Sequence, residues 1–165
     1  MPALAAGVHA PEINLSFVDG RKFILREALK KGPMVAAFFK VSCPVCQMAF
    51  PYIERLFEAY GKSGKLTFVG VSQDDAQDTQ DFNEEFGITL PALIDERGYP
   101  VSNAYGLTNV PTVFLISPPG EIERSIVSWS KPDMEDLNEK LAEISGVKPA
   151  ALFHAEESVP EFRPG

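Results

Sequence analysis

An apolar run, Pro33-Met-Val-Ala-Ala-Phe-Phe-Lys, gives way within a few residues to Cys43-Pro44-Val45-Cys46, and this junction limits the fold more than any other feature. An unbroken apolar run of strand length suits a strand buried on both faces, which needs a central place in a sheet with a layer on each side. The next segment is helical. Val45, Ala49, Tyr52, Ile53, Leu56, Phe57 and Tyr60 recur at helical spacing from a start at Cys43, and Gly61 stops the pattern. Strand, short turn and helix, with two cysteines at the helix start, is the unit around which the rest must pack.

The remaining chain supplies the layers. Ile13, Leu15 and Phe17 alternate with polar neighbours, Asp19-Gly20 turns, and Lys22-Phe-Ile returns, giving an N-terminal hairpin. Leu25 to Lys31 suits a short helix. Lys65 to Ser72 and Thr112 to Ser117 read as two more buried strands, and Ala92 to Asp95 as a short one. Asp75 with Asp78 marks a helix start, and Gly87 its end. Tyr99 to Tyr105 suits a short helix. Ile122 to Val127 pairs back as a hairpin strand. Ser130-Lys-Pro-Asp opens a last helix whose stripe is Met134, Leu137, Leu141 and Ile144. Strands alternating with helices, then a late hairpin, predict an α/β sandwich around a mixed sheet. One domain over residues 1–146 accounts for this pattern. The Pro-, Ala- and acid-rich stretch 147–165 is expected to be a loosely packed tail.

Bulk properties narrow the function. A chain of 165 residues, 45% hydrophobic, builds a core without outside staples. A net charge of −8 with scattered Lys and Arg argues against nucleic acid and against an anionic membrane surface. No apolar run approaches the roughly 20 residues that span a bilayer. Met1-Pro-Ala-Leu-Ala-Ala-Gly has no basic n-region and is too short for an h-region. The expected location is therefore cytoplasmic for the chain as it stands, or periplasmic if a leader has been removed.

Two cysteines three positions apart close too short a loop to staple an unfolded chain, so a reactive pair is the better interpretation. A thiolate at Cys43 gains the partial positive charge and unpaired N–H groups of the helix start. Pro44 fits the first turn, where its missing N–H costs nothing. Cys46 lies one turn on, about 5–6 Å away at Cβ, within reach of a disulfide. Cys43 is thus expected to attack a substrate disulfide and Cys46 to resolve the mixed disulfide. Half of a zinc site also reads C-x-x-C, but it needs two further ligands, and the histidines, His9 and His154, stand near opposite ends. Two inert buried thiols are the other alternative. No metal and no cofactor is expected.

With Phe38-Phe-Lys-Val-Ser-Cys-Pro-Val-Cys-Gln-Met-Ala-Phe-Pro in view, the chain resembles the thioredoxin-like superfamily, and within it the TlpA/ResA-like proteins of the AhpC/TSA (redoxin) group. Gly7-Val-His-Ala-Pro-Glu-Ile-Asn-Leu resembles that group's opening segment, and Val69-Gly-Val-Ser-Gln-Asp-Asp its central insertion. Phe114-Leu-Ile-Ser-Pro-Pro-Gly-Glu-Ile resembles its closing hairpin. The resemblance implies a thioredoxin-like three-layer sandwich and a cis Pro111 facing the sulfurs. It also implies a loop Val110-Pro111-Thr112 whose backbone pairs with an extended substrate chain. Pro44, Val45 and Lys40 are supporting residues, Lys40 as a charge that favours the Cys43 thiolate.

Departures from the group bear on mechanism. Ala37 stands where thioredoxins carry a buried Asp, Ser42 where they carry Trp, and Ala49 where ResA and TlpA relatives often carry Glu. The usual proton acceptor for the resolving thiol is missing, and Lys40, Glu54, Asp74 and Asp75 are candidate substitutes.

The leading function is a thiol-disulfide oxidoreductase acting on protein or small-molecule disulfides and thiols and served by an upstream redox partner. One alternative is a thiol-dependent peroxidase of the AhpC/TSA kind. Lys40 and Ala36 break the peroxidatic pattern, and only Arg124 offers itself to hold peroxide oxygens. Another alternative is a non-enzymatic binder or Cu(I) carrier, with Met48 the one nearby soft ligand. Trp129 is expected in packing rather than in the active site. The sequence leaves the direction of electron flow and the oligomeric state open.

Overall fold

The computed structural model describes residues 3–165; Met1 and Pro2, which begin the segment inspected for a leader, lie outside the described residues. The hairpin forms as β1 (Asn14–Phe17) and β2 (Lys22–Ile24), with Leu15 opposite Phe23. After α1 (Leu25–Leu29), the apolar run becomes β3 (Met34–Phe39). Then come α2 (Pro44–Tyr60), β4 (Thr67–Ser72), α3 (Ala76–Phe86), β5 (Ala92–Ile94) and α4 (Pro100–Ala104). Finally β6 (Thr112–Ile116), β7 (Ile122–Val127) and β8 (Trp129–Ser130) lead into α5 (Lys131–Ser145), and β9 (Phe162–Arg163) lies close to the end. Local chemistry explains the boundaries. Asp75 caps α3 by accepting from the Asp78 amide at 2.8 Å, and Gly87, at φ +68°, ends that helix in the left-handed region.

Seven strands form one mixed sheet in the order β2-β1-β5-β4-β3-β6-β7. β3 runs parallel to β4 and antiparallel to β6. All six of its residues are buried. Val35, Ala37 and Phe39 face a core shared with α2 and α5, whereas Met34, Ala36 and Phe38 face a second core closed by the hairpin, α1 and Tyr105. This is the three-layer arrangement expected for a strand apolar on both sides. Truncating either fully buried ring, Phe38 or Phe39, is expected to cost about 3–5 kcal/mol. Among the described residues no helix is long and apolar enough to cross a membrane.

The looseness expected of residues 147–165 does not hold. Leu152 is buried, and the Phe153 ring packs on Tyr52 and Trp129 at centroid distances of 5.2 and 6.0 Å. The Ala150 amide donates to the Tyr60 hydroxyl and the Ala150 carbonyl accepts from Asn138 Nδ2, both at 2.8 Å. Arg55 donates two bonds to the Glu157 carboxylate, at 2.8 and 2.6 Å, and a third to the Leu152 carbonyl at 2.8 Å. Trp129 Nε1 donates to the Pro160 carbonyl at 2.7 Å, and β9 pairs antiparallel with β8. The composition of the segment forbids a core of its own. It does not forbid lending Leu152, Phe153 and Val159 to a core already lined by α2 and α5, with the polar groups satisfied by distant partners.

The Arg55–Glu157 clasp gives the segment a pH dependence. The Arg55 guanidinium, followed by the His154 amide, holds the Glu157 carboxyl down at about 2, against an ordinary value of 4.5. A depressed carboxylate stabilises the fold above its unfolded value, and that contribution is lost as pH falls from about 4.5 towards 2. The protection of the Ala150 and His154 amides against hydrogen exchange, taken relative to their intrinsic rates at each pH, is therefore expected to fall on acidification through that window. In an Arg55→Met variant the same amides should already exchange fast at neutral pH.

Candidate active site

Because β3 and β6 are antiparallel neighbours with Phe38 opposite Thr112, the C-terminal end of one meets the N-terminal end of the other. The loop after β3 carries Cys43, and the loop before β6 carries Val110. Both therefore stand at one edge of the sheet, although 67 positions separate them.

Cys43 is the cap of α2 rather than its first helical residue, with extended backbone at φ −83° and ψ 115°, and Pro44 takes the first helical position. The difference from the sequence expectation matters chemically. A cap side chain turns back over the open helix end, so the Cys43 sulfur accepts from the Cys46 amide at 3.3 Å, in place of the usual cap oxygen. The macrodipole points its positive end at the same atom. The backbone is locked as well: the Cys43 amide donates to the Lys40 carbonyl at 3.1 Å, and its carbonyl accepts from the Gln47 amide at 3.0 Å. On the other side, the Cys43 thiol donates to the Val110 carbonyl at 3.5 Å. The Val110–Pro111 peptide is cis. Thr112 is buried, and its hydroxyl donates to the Asn109 carbonyl at 2.8 Å, closing the turn that presents Val110.

Cys46 is fully buried in the core beside Val45 and Ala49, whereas Cys43 keeps partial exposure; both thiols are free. Burial pushes the Cys46 thiol far up from its ordinary value. A backbone hydrogen bond from Lys40 opposes this, and the Cys43 sulfur and the Asp74 carboxylate add to it. The two sulfurs are thus unlike: one capped and reachable, one held neutral in the core.

The candidate proton acceptors separate. Ala37 and Ala49 are buried in the same core as Cys46 and offer it no carboxylate. Glu54 is buried, but its oxygens are taken by the Thr89 amide at 2.9 Å, the Leu90 amide at 3.1 Å and the Thr89 hydroxyl. Asp75 caps α3. Lys40 is exposed and serves the pair through its backbone. Asp74 remains. Its Oδ2 accepts from the Val41 amide at 2.8 Å, while Gln47 Nε2 donates to the Val41 carbonyl at 2.9 Å, so both backbone groups of Val41 are pinned beside the cysteines. Gln47 had no signal in the sequence; Asp74 had only its place after a buried strand.

Other candidates lie elsewhere. Arg124 is paired with Asp136 at 2.7 Å, on β7. Met48 packs against the core, and Trp129 is buried against Tyr52. His9 sits over Gly120, and His154 faces Glu156 and Glu157 in the tail. Among the described residues no group of three or more His, Cys, Asp or Glu side chains is gathered as for a metal.

The sequence profile of the AhpC/TSA family matches residues 6–125. Over 143 residues the chain is 33% identical to thiol-disulfide oxidoreductase ResA of Geobacillus thermodenitrificans, covering 86% of this chain and 79% of that one. ResA of Geobacillus kaustophilus is also 33% identical, over 135 residues, 81% of this chain and 76% of that one. Among solved structures, the thioredoxin domain of a thiol-disulfide oxidoreductase from Bacteroides vulgatus superposes with a TM-score of 0.72 at 24% identity, covering 84% and 98% of the two chains. Peroxidoxin BcpB of Mycobacterium tuberculosis superposes with a TM-score of 0.70 at 20% identity, covering 88% and 99%. At these identities the structural likenesses establish the shared fold.

The raised Cys46 thiol predicts that resolution, not the first attack, limits turnover at neutral pH and accelerates as pH rises. Stopped-flow decay of the mixed disulfide at increasing pH checks this. Asp74→Asn removes a negative charge that disfavours the Cys46 thiolate, so the accelerating limb should shift to lower pH. A slower resolving step in that variant would instead mark Asp74 as the proton acceptor.

Proposed function

The chain belongs to the AhpC/TSA family, and from that premise we propose that it works as a reductant of protein disulfides through Cys43 and Cys46. It is a thiol-disulfide oxidoreductase. The observation that carries the proposal is the Cys43 sulfur, set between the Cys46 amide at 3.3 Å and the Val110 carbonyl at 3.5 Å. An ionised sulfur there keeps the amide bond and the helix field, and the neighbouring Val110 backbone offers an edge on which an extended substrate can align.

The exchange balances as two displacements. The Cys43 thiolate attacks one sulfur of the substrate disulfide, forming a mixed disulfide and releasing the other sulfur as a thiolate that takes up a proton. Cys46 then loses its proton and attacks the Cys43 sulfur. The Cys43–Cys46 disulfide forms and the second substrate sulfur leaves, so two electrons have passed from the pair to the substrate. A dithiol partner of chemistry like this pair's own restores the reduced form by the reverse sequence.

The direction is part of the proposal, and the potential below decides it. Strong oxidants of this chemistry owe their potential to a stabilised reduced form, usually a stabilised thiolate. Here burial keeps Cys46 as the neutral thiol, so it adds no thiolate stabilisation to the reduced form. Peroxide reduction gains nothing from the site, since Arg124 is engaged with Asp136.

Cys43→Ser is expected to lower disulfide turnover by about a thousandfold or more. Cys46→Ser should keep the first step and accumulate a mixed disulfide with substrate, visible by mass under non-reducing conditions. Equilibration in glutathione buffers should give a potential nearer about −270 mV than about −120 mV. Full turnover by Cys43→Ser would end the proposal, and a potential at the oxidising end would reverse its direction.

A further inference from the structure

The segment beyond Pro160 returns to the site. Trp129 pairs with Arg163 and Ser130 with Phe162, which carries the chain across the strand end next to the cis-proline loop. There the Gly165 amide donates to Ser128 Oγ at 3.1 Å, and Asn109 Nδ2 donates to the Gly165 carbonyl at 2.9 Å. Ser128 is itself bonded to the loop, its amide donating to the Pro111 carbonyl at 2.8 Å. A side-chain carbon at residue 165 would fall 1.8 Å from the Val110 carbonyl oxygen and 3.2 Å from Pro111 Cδ. The backbone of Gly165 therefore rests directly on the oxygen that receives the Cys43 thiol.

Residues 161–165 are held differently from residues 147–160. Upstream, Leu152 is buried, Glu157 is clasped by Arg55 and Pro160 is bonded by Trp129. Downstream, Phe162 is 60% exposed and the Glu161 carboxylate stands 3.9 Å from Lys131 Nζ, although the Glu161 carbonyl accepts from the Lys131 amide at 2.8 Å. Little apolar surface returns to water when residues 161–165 lift away, so a few hydrogen bonds and one close approach hold them down.

We infer that residues 161–165 are a latch that sets substrate class: closed, it keeps extended polypeptide off the Val110 backbone, while small disulfides still reach the partly exposed Cys43. The inference rests on the oxidoreductase function proposed above and adds to it. A protein substrate must displace the latch to form backbone hydrogen bonds at Val110, and the Gly165 contacts compete for the same edge.

The test uses the full chain, a deletion of residues 161–165, and Gly165→Val, whose side chain cannot coexist with the Val110 carbonyl. Reduction of insulin disulfides is expected to rise about tenfold in both variants, a size that matches the loss of two hydrogen bonds. Reduction of 2-hydroxyethyl disulfide should stay within about twofold. Insulin rates unchanged in both variants would overturn the inference. So would both substrates slowing together, which would make the segment a support for the loop. Alkylation of Cys43 reads the latch without turnover: iodoacetamide should label all three proteins alike, and an extended decapeptide carrying a maleimide should label the variants faster. If the unaltered chain reduces neither disulfide, the oxidoreductase proposal fails. The decapeptide then still decides the latch, with equal labelling overturning it and faster labelling in both variants sustaining it.

Discussion

The antiparallel pairing of β3 with β6 is the constraint on which the rest depends. It sets Phe38 against Thr112 and so brings the exit of one strand to the entrance of the other. Cys43 leaves the first strand and Val110 enters the second, and they meet at a sulfur–carbonyl contact of 3.5 Å. Neither loop could make that contact alone. The strands are held by burial on both faces, Val35, Ala37 and Phe39 towards one core and Met34, Ala36 and Phe38 towards the other. A one-residue slip would exchange the two sets and move the loops apart, so the site inherits its precision from the sheet register.

On that frame the two sulfurs are made unequal by a single turn of helix. The cap position exposes Cys43 to open amides, and the position three residues later is carried into the core. Division of labour between attacking and resolving thiol thus needs no separate catalytic residue, because solvent access and helix polarity supply it. The cost falls on deprotonating Cys46. With Ala37 and Ala49 in its core, Cys46 feels the Cys43 sulfur first and then Asp74, whose carboxylate is already bonded to the Val41 amide. Asp74 orders the loop before Cys43 and biases Cys46 through space, two effects of one side chain.

The C-terminal arm adds a layer of control that the central fold does not require. Its anchors, the Arg55–Glu157 clasp and the Trp129–Pro160 bond, are made to α2 and to the residues just after β7. Those elements also carry or flank the site, so the arm's end is delivered to the cis-proline loop by the same framework that positions the cysteines. The strong contacts lie upstream of residue 161 and the weaker ones beyond it, as suits a segment that is retained but opens over residues 161–165.

By itself the sequence determined what repeats or alternates along the chain. The apolar β3, the helical stripe from Val45 to Tyr60, the Asp75 and Gly87 boundaries and the C-x-x-C spacing are local patterns, and each was legible because its physics is local. The cis-proline loop was legible through family likeness, not through spacing. Only tertiary structure decided what depends on distant partners. Glu54 read as a possible proton acceptor and proved to be bonded to Thr89 and Leu90; Asp74 read the same way and lies where Cys46 feels its charge. Residues 147–165 read as loose because they carry too few apolar side chains to form a core. They are ordered because α2, α5 and Trp129 offer a surface already built. A hydrogen bond across about a hundred residues leaves no periodic trace in either of its segments, and so only the folded chain reveals it.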